Sequence, residues 1–229
     1  MLFVTATDTG VGKTTFAAAL ARTLRAKGRA VGVLKPFESG CEPRPDGSLW
    51  PRDAATLKAA AGAPEPLEAL CPHRYALPLA PGIAASRLGE DPGLGTAVAA
   101  FERLRARYDR VVVEGAGGLL VPLTPRHSVA DLAAELALPL VVVARVGLGT
   151  LNHSLLTVEA ARRRGLEVRA LVLNDSPDHP PGPDPSREDN AAVLGRLTGL
   201  PVLGPLPRVD RPDAIDPWVA RWHGVLGLA

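Results

Sequence analysis

An α/β fold, with a mostly parallel sheet carrying helices on both faces in a single domain over residues 1–229, is what three observations predict. Short apolar runs alternate with amphipathic stretches of helical length, as successive strand–helix–strand units require. The first such unit contains a glycine-bearing turn closed by a lysine and two threonines. A chain of 229 residues with 46% hydrophobic content can bury one sizeable core without a second domain.

The first strand is the apolar run Leu2–Ala6. It leads into Thr7-Asp8-Thr9-Gly10-Val11-Gly12-Lys13-Thr14-Thr15, after which an alanine-rich apolar helix is predicted over 14–27. Such a turn is a cradle for nucleotide phosphates. Gly12 can take backbone angles closed to other residues, so successive N–H groups converge on a phosphate at the positive end of the helix. Lys13 would reach the β- and γ-phosphates, and the Thr14 hydroxyl would join a Mg²⁺ shell. The strict pattern G-x-x-x-x-G-K-[ST] is departed from at Thr7, which stands where its first glycine belongs. The strand before and the helix after supply the context the motif needs, so the fold class is P-loop NTPase-type.

Further strands are predicted over 30–34, 110–113, 140–144, 168–173 and 202–203. Helices are predicted over 53–61, 95–108, 128–136, 151–164, 186–198 and 213–226. The proline-rich stretch 175–186 excludes regular structure and reads as a stiff connector, with the rim of a site as the alternative. Arg162, Arg163 and Arg164 before Gly165 read as a helix end favoured by the macrodipole and a glycine cap. Trp218 and Trp222, four apart, are expected to pack on the core.

Composition narrows the function classes. A formal charge of +2 with acids and bases interspersed leaves no basic footprint, so nucleic acid is not expected as a partner. Cys41 and Cys71 have no metal-ligand spacing and imply no disulfide framework. The five histidines form no metal or triad pattern, and no serine sits in a nucleophile elbow. The absence of a charged leader or a membrane-length apolar run makes a cytoplasmic protein with no membrane contact the expectation.

In parallel α/β sheets ligands sit beyond the carboxyl ends of the strands, and those ends are rich in polar residues here. After the second strand comes Lys35-Pro36-Phe37-Glu38-Ser39-Gly40, whose lysine can stabilise a transferring phosphoryl group or hold an anionic acceptor, or can simply be solvated. Glu114 falls at the tip of the third strand, where nucleotide-site metals are commonly held, and Gly115, Gly117 and Gly118 would let backbone approach a ligand or merely turn the chain. Asp53 begins a helix and reads equally as ligand or cap. The stretch 144–153 repeats the strand–glycine turn–helix arrangement without the lysine; N–H groups at Thr150 and Leu151 with the Asn152 amide could hold a carboxylate, or the turn could be a plain connection. Asn174 ends the fifth strand and suits either a nucleobase edge or an Asx-turn.

Taken together, Thr7 to Thr14, Lys35 to Gly40, Arg52-Asp53-Ala54, Val113 to Gly118, Gly149 to His153 and Asn174-Asp175 closely resemble the dethiobiotin synthetase family, in order and spacing over nearly the whole chain. The resemblance implies an ATP- and Mg²⁺-dependent reaction that closes a cyclic urea on 7,8-diaminononanoate with CO₂ (or bicarbonate) in biotin synthesis. It implies catalytic roles for Lys13 and Lys35, which supply positive charge, and for Thr9 and Ser39, which contact the diamine or its carbamate. Thr14, Asp53 and Glu114 would bind Mg²⁺. Gly10, Val11, Gly12, Lys13, Thr14 and Thr15 would wrap the phosphates, with Gly115, Ala116 and Gly117 also on the nucleotide side and Gly118 on the substrate side. Asn174 and Asp175 would meet the adenine with help from Pro207, Arg208 and Val209. A homodimer is implied, in which Thr150, Leu151 and Asn152 of one subunit receive the substrate carboxylate of the other. Two positions depart from familiar members: Gly10, often glutamate, and Phe37-Glu38, in a turn often built of smaller residues.

Two rival readings carry less. An amidating ligase of the same P-loop group usually adds a glutaminase domain, for which no cysteine–histidine segment is present. A partitioning or membrane-positioning ATPase typically carries a second cradle lysine where this chain has Asp8.

Overall fold

The computed structural model describes residues 1–176 and 183–228. In chain order its elements are β1 (Leu2–Ala6), α1 (Lys13–Ala26), β2 (Val31–Leu34), β3 (Phe37–Ser39), β4 (Glu42–Pro43), β5 (Leu49–Trp50), α2 (Arg52–Ala61), α3 (Leu67–Leu70), β6 (His73–Tyr75), α4 (Pro81–Arg87), α5 (Gly95–Arg105) and β7 (Arg110–Glu114). There follow α6 (Val129–Glu135), β8 (Leu140–Arg145), α7 (Thr150–Arg163), β9 (Val168–Asn174), α8 (Ser186–Thr198), β10 (Val202–Leu206), a 3₁₀ turn (Pro212–Ile215) and α9 (Asp216–Arg221).

Six strands form one parallel sheet in the order β10-β9-β8-β1-β7-β2, with helices around it. The valine-rich runs of β7 and β8 explain their inner places, because β-branched side chains suit a pleated surface buried on both sides. β1 lies between them, with Phe3 opposite Val113 and Leu140. On α1, Phe16, Leu20 and Leu24 are fully buried, and the alanines among them let the helix lie close against its neighbours. α1 packs on α2 and α9, and α7 packs on α8. α6 begins in a capping box: Ser128 Oγ accepts from Asp131 N–H, and the Asp131 carboxylate accepts from Ser128 N–H at 2.7 Å.

The six expected strands all form, with ends differing by a few residues, whereas the segment between β2 and α5 is richer than periodicity suggests. β3 pairs with β6 in a two-stranded parallel sheet and β4 with β5 in a small hairpin. Runs of two or three residues are too short to show a period, so they escape a reading based on alternation. The helix expected over 213–226 is divided into the 3₁₀ turn and the short α9. Pro217 lacks an N–H and sits at the start of α9, so the intrahelical ladder cannot run continuously through it. Trp222 packs against the core, but Trp218 remains 39% exposed, which corrects the expectation that both would be packed. Of the proline-rich stretch 175–186, residues 177–182 lie outside the described residues.

Candidate active site

The cradle is built where β1 ends. Gly10 (φ 75°) and Gly12 (φ 96°) both take positive φ, and Gly12 opens α1 with no side-chain cap, leaving the helix N–H groups to face a ligand. A Cβ on Gly12 would lie 2.2 Å from Asn174 Nδ2, so space and backbone angle both demand glycine. Asp8 holds the turn from its other side: its carboxylate accepts from Thr9 N–H at 2.8 Å and pairs with Arg145 at 2.7 Å, while its carbonyl accepts from Lys13 Nζ at 3.1 Å. The tip of β9 braces the loop, with Asn174 Nδ2 donating to Val11 O at 2.9 Å and Ser176 Oγ donating to Gly10 O at 2.5 Å. The Asn174 amide thus bonds cradle backbone, an arrangement that differs from an Asx-turn.

Beside the cradle, residues far apart in sequence converge on one ammonium. Lys35 Nζ lies 2.6 Å from Glu114 Oε1, 2.9 Å from Gly115 O and 3.1 Å from Asp53 Oδ2, so its three donors meet three acceptors. Glu114 Oε1 also accepts from Thr14 Oγ1 at 2.8 Å. Lys35 is 3% exposed and Glu114 is fully buried, so each charge depends on the other. Asp53 is the second residue of α2 and does not cap it; its carboxylate turns to Lys35 instead. The capping is done from β3: Glu38 accepts from Asp53 N–H at 2.9 Å and from Ala54 N–H at 3.0 Å.

The charges bias one another in physically distinct ways. Burial, reinforced by the nearby Lys35 charge, lowers Lys13 to about 8. Burial alone would lower Lys35 too, but Glu114 and Asp53 overcome it and hold this lysine above its ordinary range. Burial raises Glu114 despite Lys35, and raises Glu38 to about 7 with help from the Asp53 charge. For Asp53, burial is outweighed by Lys35 and by the Thr14 hydroxyl, which hold the carboxyl below its usual value.

Can these residues hold Mg²⁺? Glu114 Oε2 is buried with no hydrogen-bond partner, an acceptor left without a donor. With Asp53 and the Thr14 hydroxyl it makes a set of hard oxygen donors. Mg²⁺ takes such a set of one or two carboxylates and completes its shell with phosphates and water, so the residues fit the ion.

Lys13, Thr14, Lys35 and Asp53 border a cavity of about 740 Å³. Of the residues expected from sequence, Thr9, Gly10, Gly12, Lys13, Thr14 and Thr15 line its floor, and Lys35, Ser39 and Asp53 one wall. Ala116 and Gly117 lie on the β7 side, and Asn174, Asp175, Pro207 and Val209 on the β9–β10 side. Others stand back from it. Val11 is a core residue, 3% exposed, and Glu114 lies behind Lys35. Gly115 and Gly118 were expected to bring backbone against a ligand; the close approaches they permit are to protein, Phe3 and Val129 for Gly115 and Thr7 O for Gly118. Arg208 donates to Ser176 O at 2.8 Å and does not line the cavity. Thr150, Leu151 and Asn152 at the start of α7 do not line it either; Thr150 is buried against Ser154 and Asn152 is exposed.

The cavity also contains residues the sequence reading did not assign to it: Glu38, Ser176, Val121, the run Pro78-Leu79-Ala80-Pro81, and Asp210, Pro212 and Ile215. Only Glu38 left a signal, as an acidic residue in a turn otherwise expected to be small. The rest arrive by long connections that no local pattern marks.

Known proteins resemble this chain in sequence and in fold. A family model described as an AAA domain matches residues 1–214. An ATP-dependent dethiobiotin synthetase BioD of Anaeromyxobacter dehalogenans (strain 2CP-C) is 53% identical over 206 residues, 90% of this chain and 89% of that protein. The protein of the same name from Bacillus thuringiensis (strain Al Hakam) is 41% identical over 90% of this chain and 82% of its own length. Among solved structures, apo McdA of Cyanthece superposes with a TM-score of 0.54 at 13% identity, covering 99% of this chain and 94% of that one. The MinC:MinD complex of Aquifex aeolicus gives 0.52 at 11% identity, covering 96% and 85%. At such identities these two speak for the fold alone.

Proposed function

The chain belongs to the dethiobiotin synthetase family, its activity is the ATP-dependent formation of dethiobiotin in biotin biosynthesis, and from that premise we propose how its residues divide the work. The observation that carries the assignment is the convergence of Lys35, Glu114, Asp53 and Thr14 beside the glycine cradle, in one cavity with Ser39 and Thr9.

The diamine enters over Thr9 and Ser39 and binds CO₂ through one amino nitrogen, forming the C–N bond of a carbamate and losing a proton. A carbamate oxygen attacks the γ-phosphorus of ATP, the bond to the ADP oxygen breaks, and a carbamic-phosphoric anhydride results. The second amine attacks the carbonyl carbon, phosphate leaves, and the cyclic urea closes. Phosphorylation converts a poor oxide leaving group into phosphate, so the protein supplies position and positive charge, with no nucleophile of its own. The cradle N–H groups and Lys13 hold the β- and γ-phosphates. Lys35, fixed by three acceptors, presents its charge to the carbamate and the transferring phosphoryl group. Thr14, Asp53 and Glu114 hold Mg²⁺, which when bound neutralises phosphate charge. The adenine lies against Asn174, Asp175 and the Pro207–Val209 segment.

Two copies form the working unit in this reading, with the turn at Thr150, Leu151 and Asn152 of one copy closing the other's site on the substrate carboxylate. The exposure of Asn152 and its place outside the lining of its own subunit's cavity support that arrangement. A fully active monomer at micromolar concentration, seen by sedimentation, would contradict it.

The test of the activity is fixation of labelled bicarbonate into an acid-stable product with ATP and Mg²⁺, with and without 7,8-diaminononanoate. Fixation that requires the diamine is the expected result. Nucleotide hydrolysis without fixation would retain the fold and reject the reaction.

A further inference from the structure

Helix α2 begins without a cap of its own. Its N-cap position is Pro51, whose side chain has no hydrogen-bonding atom, and the first-turn amides of Asp53 and Ala54 would be orphans but for a residue fifteen positions earlier. Glu38, from β3, places one carboxylate oxygen on each of them, at 2.9 and 3.0 Å. It does so while 6% exposed and on the cavity wall, between Lys35 and Ser39 in sequence. The same helical turn directs the Asp53 carboxylate to Lys35 at 3.1 Å.

We propose that Glu38 is a positioning residue: as a cap supplied from outside the helix, it ties the first turn of α2 to β3 and so fixes Asp53 against Lys35. Two features argue for this over a general structural role. A helix that needed only a cap would be served by a serine or aspartate at residue 51, its own N-cap position. A carboxylate brought in from β3 instead links two elements that carry site residues, Ser39 on one and Asp53 on the other. Moreover, the later turns of α2 are held without Glu38, Arg25 donating to Ala60 O and Leu57 being fully buried, so loss of Glu38 would loosen the first turn, left with the burial of Ala54 and the Arg52–Glu42 pair, while the rest of the helix stays packed.

The inference rests on the proposed reaction for its kinetic test, so the test includes a readout independent of it. In Glu38→Ala, amide hydrogen exchange at Asp53 and Ala54 should accelerate at least about tenfold, with the last turn of α2 unchanged. Turnover should fall about 10- to 100-fold while KM for ATP stays within about threefold. Glu38→Gln, which fills the same space but accepts with one oxygen only, should fall between wild type and Glu38→Ala. The decisive variant is Glu38→Ala combined with Pro51→Ser, which supplies a local cap: turnover and slow exchange should both return in large part. Should Glu38→Ala melt with the global transition lowered, Glu38→Gln and its Pro51→Ser double variant carry the same comparison.

If exchange at Asp53 and Ala54 is unchanged in Glu38→Ala, the cap is not formed in solution and the proposal fails. If the local cap slows exchange but does not restore turnover, Glu38 acts on the substrate directly and the positioning role fails. A wild-type protein without bicarbonate fixation would instead overturn the reaction, and the exchange data would still decide the cap.

Discussion

The chain makes the same backbone device twice, at the start of α1 and at the start of α7, and equips the two very differently. Gly12 and Gly149 have nearly equal φ, 96° and 92°, each after a buried parallel strand and each before a fourteen-residue helix with no side-chain cap. Beside Gly12 stand Lys13 of α1, Lys35 and Glu114 from the tips of neighbouring strands and Asp53 of α2, and Asn174 fills the space above the glycine. Around Gly149 there is open space, Leu148 is 80% exposed, and Leu148 N–H is taken by the Asp184 carboxylate at 2.8 Å. A helix N-terminus is therefore only half of a phosphate site. The other half is fixed charge from other elements, which makes a highly charged ligand bind and react where the bare turn would suit at most a carboxylate.

Removing that fixed charge should have the largest effect. Lys35→Ala leaves Glu114 buried without its partner, and stability should fall by about 3–5 kcal/mol, read by denaturant unfolding. Turnover should fall by about 10²–10³-fold, the usual loss when one preorganised stabiliser of developing charge is deleted. ATP affinity should change by less than about threefold; equal losses in both would make Lys35 a nucleotide anchor. Next in size is the contrast between the glycines. Gly12→Ala combines backbone strain with collision against Asn174, and ATP affinity should drop about 10- to 100-fold, as a strain of about 1–3 kcal/mol at the binding loop dictates. Gly149→Ala meets nothing, so only strain of about 1–2 kcal/mol should appear, in the melting transition, with ATP affinity intact. Smaller again, Asn152→Ala should raise KM for the diamine about tenfold, the equivalent of one lost hydrogen bond of about 1.4 kcal/mol, without moving KM for ATP. An unchanged KM would remove the second turn from the substrate site.

The difference between the turns also marks what a sequence can reveal. The cradle was legible because its chemistry is local: glycine, lysine and threonine act within one strand–turn–helix unit. Lys35 and Glu114 were legible as strand-tip residues because parallel α/β sheets put ligands there. Their union was not, since the pairing of β2 with β7 and the position of α2 bring together residues 79 and 61 positions apart, from Lys35 to Glu114 and from Asp53 to Glu114. Asp53 illustrates the limit well. Its place near a helix start allowed both ligand and cap, and only the arrival of Glu38 from β3 shows why the carboxylate is released from capping. Pro78 to Pro81 reach the cavity through a connection that leaves the three-residue β6, and Ile215 through a four-residue 3₁₀ turn, elements too short for periodicity to mark.

The smallest expected effect separates Lys13 of the first turn from Lys35 beside it. Lys13 is lowered to about 8, chiefly by burial, whereas Lys35 is held above its ordinary range by Glu114 and Asp53. Bound polyphosphate requires Lys13 charged, so above about pH 8 binding must first take up a proton, and affinity falls as pH rises. For ADP with no divalent cation added, the fraction of protein with Lys13 charged falls about threefold between pH 7.5 and 8.5, and affinity by calorimetry should follow it. Folding has the opposite sign: a lysine whose folded value is depressed opposes folding while it is charged, so that penalty fades as pH climbs from about 8 towards the ordinary lysine value. Lys35 stays charged in the folded protein throughout and so leaves the ADP profile alone; its raised folded value gives stability that is complete below the ordinary lysine value and declines only as pH rises through it. The turn before α7 has no lysine, so KM for the diamine should not share the ADP profile; a common profile would mean that one titrating group serves both turns, and that they are not the separate devices their surroundings suggest.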